Sequence, residues 1–170
     1  VDYGIYHTKF EITGNPLVSV IIPNKDHAAD LDVCMRSLIE KGTYKNLEFV
    51  IVENNSTEQA TFDYYERIQK EFDFVYVVTW EREFNYSAIN NFGVTAASGE
   101  YLLFLNNDTE LINPESIEEM LGFCQRDDVG IAGARLLYSD DTIQHAGVVV
   151  GFGGIAGHTF IGLHRAESSY

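Results

Sequence analysis

Hydrophobic positions along the chain alternate between two rhythms. Leu17-Val18-Ser19-Val20-Ile21-Ile22 is a β-branched run that ends at Pro23, the pattern of a strand buried on both faces. Leu31, Cys34, Met35, Leu38 and Ile39 then recur at i, i+3, i+4, i+7 and i+8. That spacing predicts one face of a helix, with Gly42 as its cap. Leu47–Val52 repeats the strand pattern, and Ser56-Thr57-Glu58-Gln59 reads as a capping box for a helix carrying Phe62, Tyr65, Ile68 and Phe72. Phe74–Val78 predicts a third strand. Ile89, Phe92, Ala96 and Ala97 predict a third helix, with Gly99 at its end. Tyr101–Leu105 predicts a fourth strand, and Asn113-Pro114 opens a fourth helix whose inner face is Ile117, Met120, Leu121 and Cys124. After Val129 the character changes. Ile131–Tyr138 and His145–Val150 are strand-like pieces joined by the turn signal Ser139-Asp140-Asp141.

Strands alternating with helices predict an α/β fold, a mostly parallel sheet joined by right-handed crossovers. Ligands of such sheets bind beyond the carboxyl ends of the strands. Three polar segments fall there: Pro23-Asn24-Lys25-Asp26, Glu53-Asn54-Asn55-Ser56 and Asn106-Asn107-Asp108-Thr109-Glu110. A carboxylate at Asp108, lifted out of a buried strand, suits a hard divalent cation that shares its other ligands with water and phosphate oxygens. Glu53 and Asn54, at the mouth of a helix, suit hydrogen bonds to a nucleobase and ribose. The plainer alternatives are that Asn and Asp only turn the chain and that Ser56 and Gln59 only cap a helix. For Ser56 capping is the expected role.

Composition narrows the chemistry. The 170 residues carry 11 Lys+Arg against 26 Asp+Glu, a net charge of −15. A surface this acidic repels phosphate backbones and argues against a nucleic-acid partner. No run approaches the roughly 20 apolar residues of a membrane span. Cys34 and Cys124 lack metal or redox spacing and fit a reducing compartment. The first turn lacks the glycines of a dinucleotide fingerprint or a Walker loop, which removes hydride transfer and P-loop chemistry. The clustered glycines at 147, 151, 153, 154 and 157 read as a turning loop. His145 and His158 read as structural, with an acceptor or metal role as the minority reading; His7, His27 and His164 join no constellation, and Tyr64 and Tyr65 read as packing or helix surface.

Val18–Pro23, Val52–Thr57 and Gly99–Asp108, in this order, resemble the nucleotide-binding half of a family 2 glycosyltransferase with the GT-A fold. The resemblance runs from about Pro16 to Phe160. Gly133–Leu137 and Ile143–Gly147 further resemble a bacterial subgroup that builds rhamnose-containing and other cell-surface polysaccharides. The resemblance implies a Rossmann-like sheet with helices on both faces, truncated on the acceptor side. It implies a lead-in over residues 1–16, a nucleotide-sugar-binding domain over 17–160 and a polar tail over 161–170.

By the same resemblance, Asp108 matches the last residue of the DXD motif, which holds Mn2+ or Mg2+ against the donor diphosphate. Asn107 matches the residue before it, which contacts the donor ribose, and Asn106 opens the same triplet. Glu53 and Asn54 match the acidic pair that reads the base, and Pro23, Asn24 and Lys25 the loop beside it. Asn85 and Asn90 lie in the segment that closes over the nucleotide. The motif here is Asn-Asn-Asp, which supplies one strong carboxylate, and Asn54 stands where Asp is usual.

The implied reaction is inverting transfer from a UDP-, dTDP- or GDP-linked hexose or deoxyhexose to a saccharide or lipid-linked acceptor. The implied setting is the cytoplasm, with the inner face of the membrane as one workplace of the parent protein. The general base is expected beyond Tyr170, because Asp140 and Asp141 read as turn residues and Glu167 lies in a polar tail. The isolated segment is thus expected to bind donor without transferring sugar. A sugar-nucleotide pyrophosphorylase would need a Gly-rich basic loop after the first strand, which is missing. A non-catalytic nucleotide-binding or assembly domain of a larger protein is the remaining alternative.

Overall fold

A computed structural model describes residues 6–152 and 154–166. The chain forms two compact units, one over Ile12–Glu118 and one made of the segments Val1–Glu11 and Glu119–Tyr170. The larger unit runs β1 (Val18–Asn24), α1 (Ala28–Arg36), β2 (Leu47–Glu53), α2 (Gln59–Glu71), β3 (Val75–Thr79), α3 (Tyr86–Val94) and β4 (Tyr101–Phe104). The four strands are all parallel, in the order β3-β2-β1-β4.

This order follows from the crossovers. From β1 to β2 to β3 the chain steps one way, and from β3 to β4 it returns past β1. Right-handed connections therefore put α1 and α2 on one face and α3 on the other. Strand alternation supplies a core to each. Ile21, Val50 and Val52 meet Ile89 of α3, with Trp80 and Phe92 packed around them. Val20, Ile22, Phe49 and Ile51 point the opposite way, and all four are fully buried. Gly93 lets α3 lie close to the sheet: a Cβ there would stand 2.6 Å from Ile21 Cγ2 and 2.9 Å from Val52 Cγ2.

Several boundaries differ from the sequence expectation. β1 does not stop at Pro23 but runs on to Asn24. The Ile21 carbonyl accepts from Leu105 N–H on the β4 side, and the Asn24 carbonyl accepts from Asn54 N–H on the β2 side. Residues two apart face the same neighbour, so the N–H that Pro23 lacks falls on the β4 side. The pairing there ends at Ile21, opposite Phe104, and no ladder bond is lost. The helix after β1 ends in a π turn, Ser37–Lys41. Gly42 closes it in an extended conformation, φ −60° and ψ 138°, and not in the left-handed cap expected of a glycine there.

The capping box is also corrected. α2 starts at Gln59, with Glu58 at the N-cap position and no side-chain cap. Ser56 lies outside the helix, and its hydroxyl accepts from Asp26 N–H at 2.8 Å and donates to Glu53 Oε2 at 2.6 Å. The amides ahead of the helix go to a residue remote in sequence. Asp26 Oδ1 accepts from Thr57 N–H and Glu58 N–H at 2.8 and 2.9 Å.

At the opposite end of the sheet a buried carboxylate closes the turn before β4. Glu48 Oε1 accepts from Ser19 Oγ at 2.5 Å and Ser98 N–H at 2.6 Å, and Oε2 accepts from Ser98 Oγ at 2.6 Å. Burial alone would raise the pKa of Glu48, but the hydrogen bonds from Ser19, Ser98 and Gly99 outweigh it and hold the group below its ordinary value.

Helix α4 (Ser116–Cys124) follows, with Ile117 and Leu121 buried. The two long strands expected after Val129 are reduced to short antiparallel ribbons. β5 (Leu136–Leu137) pairs with β6 (Ile143–His145), and β7 (Val148–Val150) pairs with β8 (Ala156–His158). Gly147, at φ 112°, breaks the expected run from His145 to Val150. Among the described residues no helix is long and apolar enough to cross a membrane.

Candidate functional site

In the larger unit the carboxyl ends of β1, β2 and β4 open into a cleft of about 490 Å³. The chain leaves β1 for β2 on one side, and β4, reached from β3, lies on the other, so the strand order reverses at β1, which is where an open parallel sheet leaves a crevice. Five Asn residues are part of its lining: Asn24, Asn54, Asn55, Asn106 and Asn107. Phe84, Tyr86 and Ile89, from the β3–α3 loop and α3, add apolar residues to the lining. Pro23, Lys25, His27 and Glu83 complete the lining.

The loops at this end adopt a backbone that L-residues seldom take. Asp26, His27 and Asn55 have φ of 54°, 51° and 58°. Asn and Asp tolerate the left-handed region better than most residues, but three such positions beside one cleft need support. Asp26 provides it by tying the β1–α1 loop to the start of α2. The Glu58 and Thr57 amides hold its carboxyl below the ordinary Asp pKa.

Of the residues singled out from sequence, Pro23, Asn24, Lys25, Asn54, Asn106 and Asn107 line the cleft together. Asn54 is buried, and its Nδ2 donates to the Trp80 and Arg82 carbonyls, both at 2.9 Å, so it also fixes the β3–α3 loop. Asn24 is buried as well, and its Oδ1 accepts from Asn107 Nδ2 at 2.6 Å.

Four residues are placed differently. Glu53 is buried beneath the cleft and is not part of its lining. Its carboxylate accepts from Ser56 N–H at 2.5 Å, Ser56 Oγ at 2.6 Å and Tyr65 Oη at 2.7 Å, so it folds the β2–α2 loop onto α2. Asn85 is the N-cap of α3, its side chain accepting from Ala88 N–H at 3.0 Å. Asn90 is buried in α3 and donates to the Tyr86 carbonyl at 2.8 Å, while its Oδ1 has no partner. Asp108 stands exposed beyond β4, outside the lining of the cleft.

The donor set sets limits on a metal. Among the described residues, no three His, Cys, Asp or Glu side chains gather as a metal site. One exposed carboxylate is a partial ligand set, which fits a hard cation that takes most of its oxygens from water and from a phosphate group. Nearby, burial pushes the Cys34 thiol up to about 11.

In the smaller unit, Asp140 and Asp141 are turn residues. The Asp140 carboxylate accepts from Thr142 N–H at 3.0 Å and Thr142 Oγ1 at 2.6 Å, and Asp141 has φ 64°. Glu167 lies outside the described residues, as does Gly153 of the glycine cluster. His145 and His158 meet edge to face, with their Nδ1 atoms 2.9 Å apart.

Sequence reasoning missed the apolar part of the lining, because Phe84 and Tyr86 belong to no periodic pattern. It also missed Asp26 and Tyr65 as supports. Asp26 offered a signal in retrospect, since an Asp in a loop can serve a helix N-terminus that is distant in sequence.

Comparison with known proteins agrees with this layout. The model of the family "Glycosyl transferase family 2" matches residues 19–148. The chain is 43% identical over 160 residues to the O-antigen biosynthesis protein RfbC of Myxococcus xanthus, a match covering 91% of this chain and 12% of that protein. The chain thus spans about an eighth of the length of this relative. Among solved structures, it resembles the mannosyltransferase PcManGT of Pyrobaculum calidifontis in complex with GDP-Man and Mn2+. That likeness has a TM-score of 0.65 at 19% identity and covers 75% of this chain and 38% of the other. It also resembles TarS 1-349 of S. aureus in complex with UDP-GlcNAc, at a TM-score of 0.51 and 26% identity, covering 64% of this chain and 31% of the other. With the parallel sheet and the cleft at its carboxyl edge, the match over residues 19–148 shows that the chain belongs to glycosyl transferase family 2.

Proposed function

We propose that this chain is the donor-binding part of a glycosyltransferase. It holds a nucleotide-diphosphate sugar, with Mn2+ or Mg2+, for inverting transfer of a hexosyl or deoxyhexosyl group to a saccharide or lipid-linked acceptor. The observation that carries the reading is the cleft itself. Five Asn residues line, together with Phe84, Tyr86 and Ile89, a crevice at the carboxyl edge of a parallel sheet. A nucleotide needs both kinds of residue: apolar surface for the flat base, and polar groups that match base and ribose edges.

Other observations support the same reading. The solved relatives were captured with GDP-Man and Mn2+ and with UDP-GlcNAc. The name of the Myxococcus relative supports a product in a surface polysaccharide. The two free thiols, Cys34 and Cys124, support a reducing, cytoplasmic setting.

The chemistry follows from charge. The donor's leaving group is an anion, and the chain carries −15. Asp108 would hold the cation, which as a Lewis acid would stabilise the departing diphosphate. The chain's own residues bind and orient. Asn54 fixes the β3–α3 loop that carries Phe84 and Tyr86, and Asn24 holds Asn107 at the end of β4. The strained turn at Asp26–His27 is locked before ligand arrives, so its ordering cost is not charged to binding.

The test is calorimetry with UDP, GDP and dTDP, each with and without Mn2+. At least one should bind, and Mn2+ should raise its affinity while the nucleotide raises that of Mn2+ by the same factor. Failure of all three to bind would contradict the donor reading. Binding indifferent to Mn2+ would contradict the role of Asp108.

A further inference from the structure

The smaller unit brings together two imidazoles that the donor reading does not use. β6 ends at His145, and Gly147, at φ 112°, turns the chain into β7. β8 returns antiparallel to β7 and sets His158 opposite Val148. Phe152 packs over Gly157 in this ribbon, where a Cβ would stand 2.6 Å from Phe152 Cδ1. The bend and the return strand thus place two rings side by side that are 13 positions apart in the chain. Their centroids are 5.0 Å apart with the planes at 77°, and the two Nδ1 atoms are 2.9 Å apart.

Each nitrogen of a neutral imidazole carries either a hydrogen or a lone pair. At this distance one Nδ1 donates to the other. One ring of the neutral pair is therefore the Nδ1–H form and the other the Nε2–H form. A cation in place of the shared hydrogen would use both Nδ1 lone pairs at once. The first ring would then lose its hydrogen from Nδ1 and gain one from water at Nε2, with no net release of protons. On a tetrahedral ion, bonds of about 2.0–2.1 Å set two nitrogens about 3.3 Å apart. The rings need part by only about 0.4 Å to reach that spacing. His145 is half-buried and His158 exposed, so neither is locked by a packed core.

The donors select the ion. Imidazole suits Zn2+, Ni2+ and Cu2+, whereas Mn2+ stands lowest in the first-row affinity order and Mg2+ prefers oxygen. Among the described residues no third His, Cys, Asp or Glu joins the pair. Water or an outside ligand would fill the other positions.

We propose that His145 and His158 form a binding site for Zn2+ or a similar transition-metal ion, each ring giving Nδ1. The site differs in chemistry from the lone oxygen donor Asp108 and is independent of the donor reading. An ion held there ties the end of β6 to the end of β8.

The experiment titrates the chain with Zn2+ by calorimetry, alongside His145→Gln, His158→Gln and His7→Gln. His7 is the control, an exposed imidazole 3.3 Å from the Glu119 carboxylate. Long-range 1H–15N spectra of the imidazoles follow the same titration. One Zn2+ should bind per chain, and a large excess of Mn2+ should not displace it. His145→Gln and His158→Gln should each weaken binding by at least about 10-fold, as removal even of a group behind a ligand does. His7→Gln should bind as the unaltered chain does. Both Nδ1 signals should move on binding, and both rings should end in the Nε2–H form. Should either variant fold poorly by circular dichroism, the imidazole spectra of the unaltered chain decide alone. Absence of Zn2+ binding, affinity retained in either His145→Gln or His158→Gln, or Nδ1 signals that stay still would overturn the proposal. So would half an ion per chain with dimers in sedimentation, since the ion would then bridge two copies. Nucleotide binding is measured separately, so its failure would overturn the donor reading and leave this site standing.

Discussion

Replacing Glu53 by Ala separates two roles for one carboxylate. As a ligand contact, its loss would weaken nucleotide binding and spare the fold. As the support observed here, its loss strikes the fold first. The side chain accepts three hydrogen bonds while 4% exposed. A hydrogen bond to a charged group is worth about 1.5–3 kcal/mol. The three share one carboxylate, Ser56 can recover water, and the charge no longer needs burying. The net cost should therefore be well below their sum, about 3–5 kcal/mol. At roughly 2–4 °C per kcal/mol for a chain of this size, Tm should fall by about 6–20 °C. Thermal unfolding followed by circular dichroism measures the shift. Amide exchange at residues 54–58 should rise ahead of exchange in the strands, because the β2–α2 loop loses its anchor. A Tm within 2 °C of the parent together with lost nucleotide binding would refute the reasoning and return Glu53 to the cleft.

Other expectations follow from single sites. Glu48→Gln should destabilise the chain at neutral pH, and the gap to the parent should close in acid. The folded Glu48 pKa is depressed, so its stabilisation is present above the unfolded value, near 4.5, and is lost as pH falls through the folded value; urea unfolding at pH 7 and pH 4 measures it. Gly93→Ala should cost about 1–3 kcal/mol through overpacking against Ile21 and Val52, read from the urea midpoint. Asp108→Asn should leave Tm unchanged and remove the coupling between Mn2+ and nucleotide, read by calorimetry.

The layered fold was legible because strand and helix periods separate cleanly. Val18–Ile22 and Leu47–Val52 are buried on both faces and are apolar but for Ser19 and Glu48, and the polar residues that follow mark the carboxyl edge. Boundaries were less legible where tertiary partners decide them. Pro23 ends a strand by local rules, yet here its missing N–H points to the side where the neighbouring strand has stopped. Ser56 has the spacing of a cap, yet Asp26 supplies the acceptor from another loop. Within the site, residue types revealed which segments gather but not which way each side chain turns. Glu53 and Asn54 are adjacent in a strand end, so they face opposite sides, one into the buried network and one along the cleft. Phe84 and Tyr86 were invisible for another reason. Nothing in a loop sequence distinguishes an aromatic that lines a crevice from one that is simply exposed.

The central claim is that the crevice at the ends of β1, β2 and β4 holds the donor nucleotide. Chemical-shift mapping of the 15N-labelled chain, titrated with the tightest-binding of UDP, GDP and dTDP in the presence of Mg2+, with a trace of Mn2+ added last, tests it most directly. The largest changes should fall on Asn24, Asn54, Asn107 and the Phe84–Tyr86 segment, with Asp108 broadened by the paramagnetic ion. Saturable changes confined to other residues, with these signals still, would contradict it.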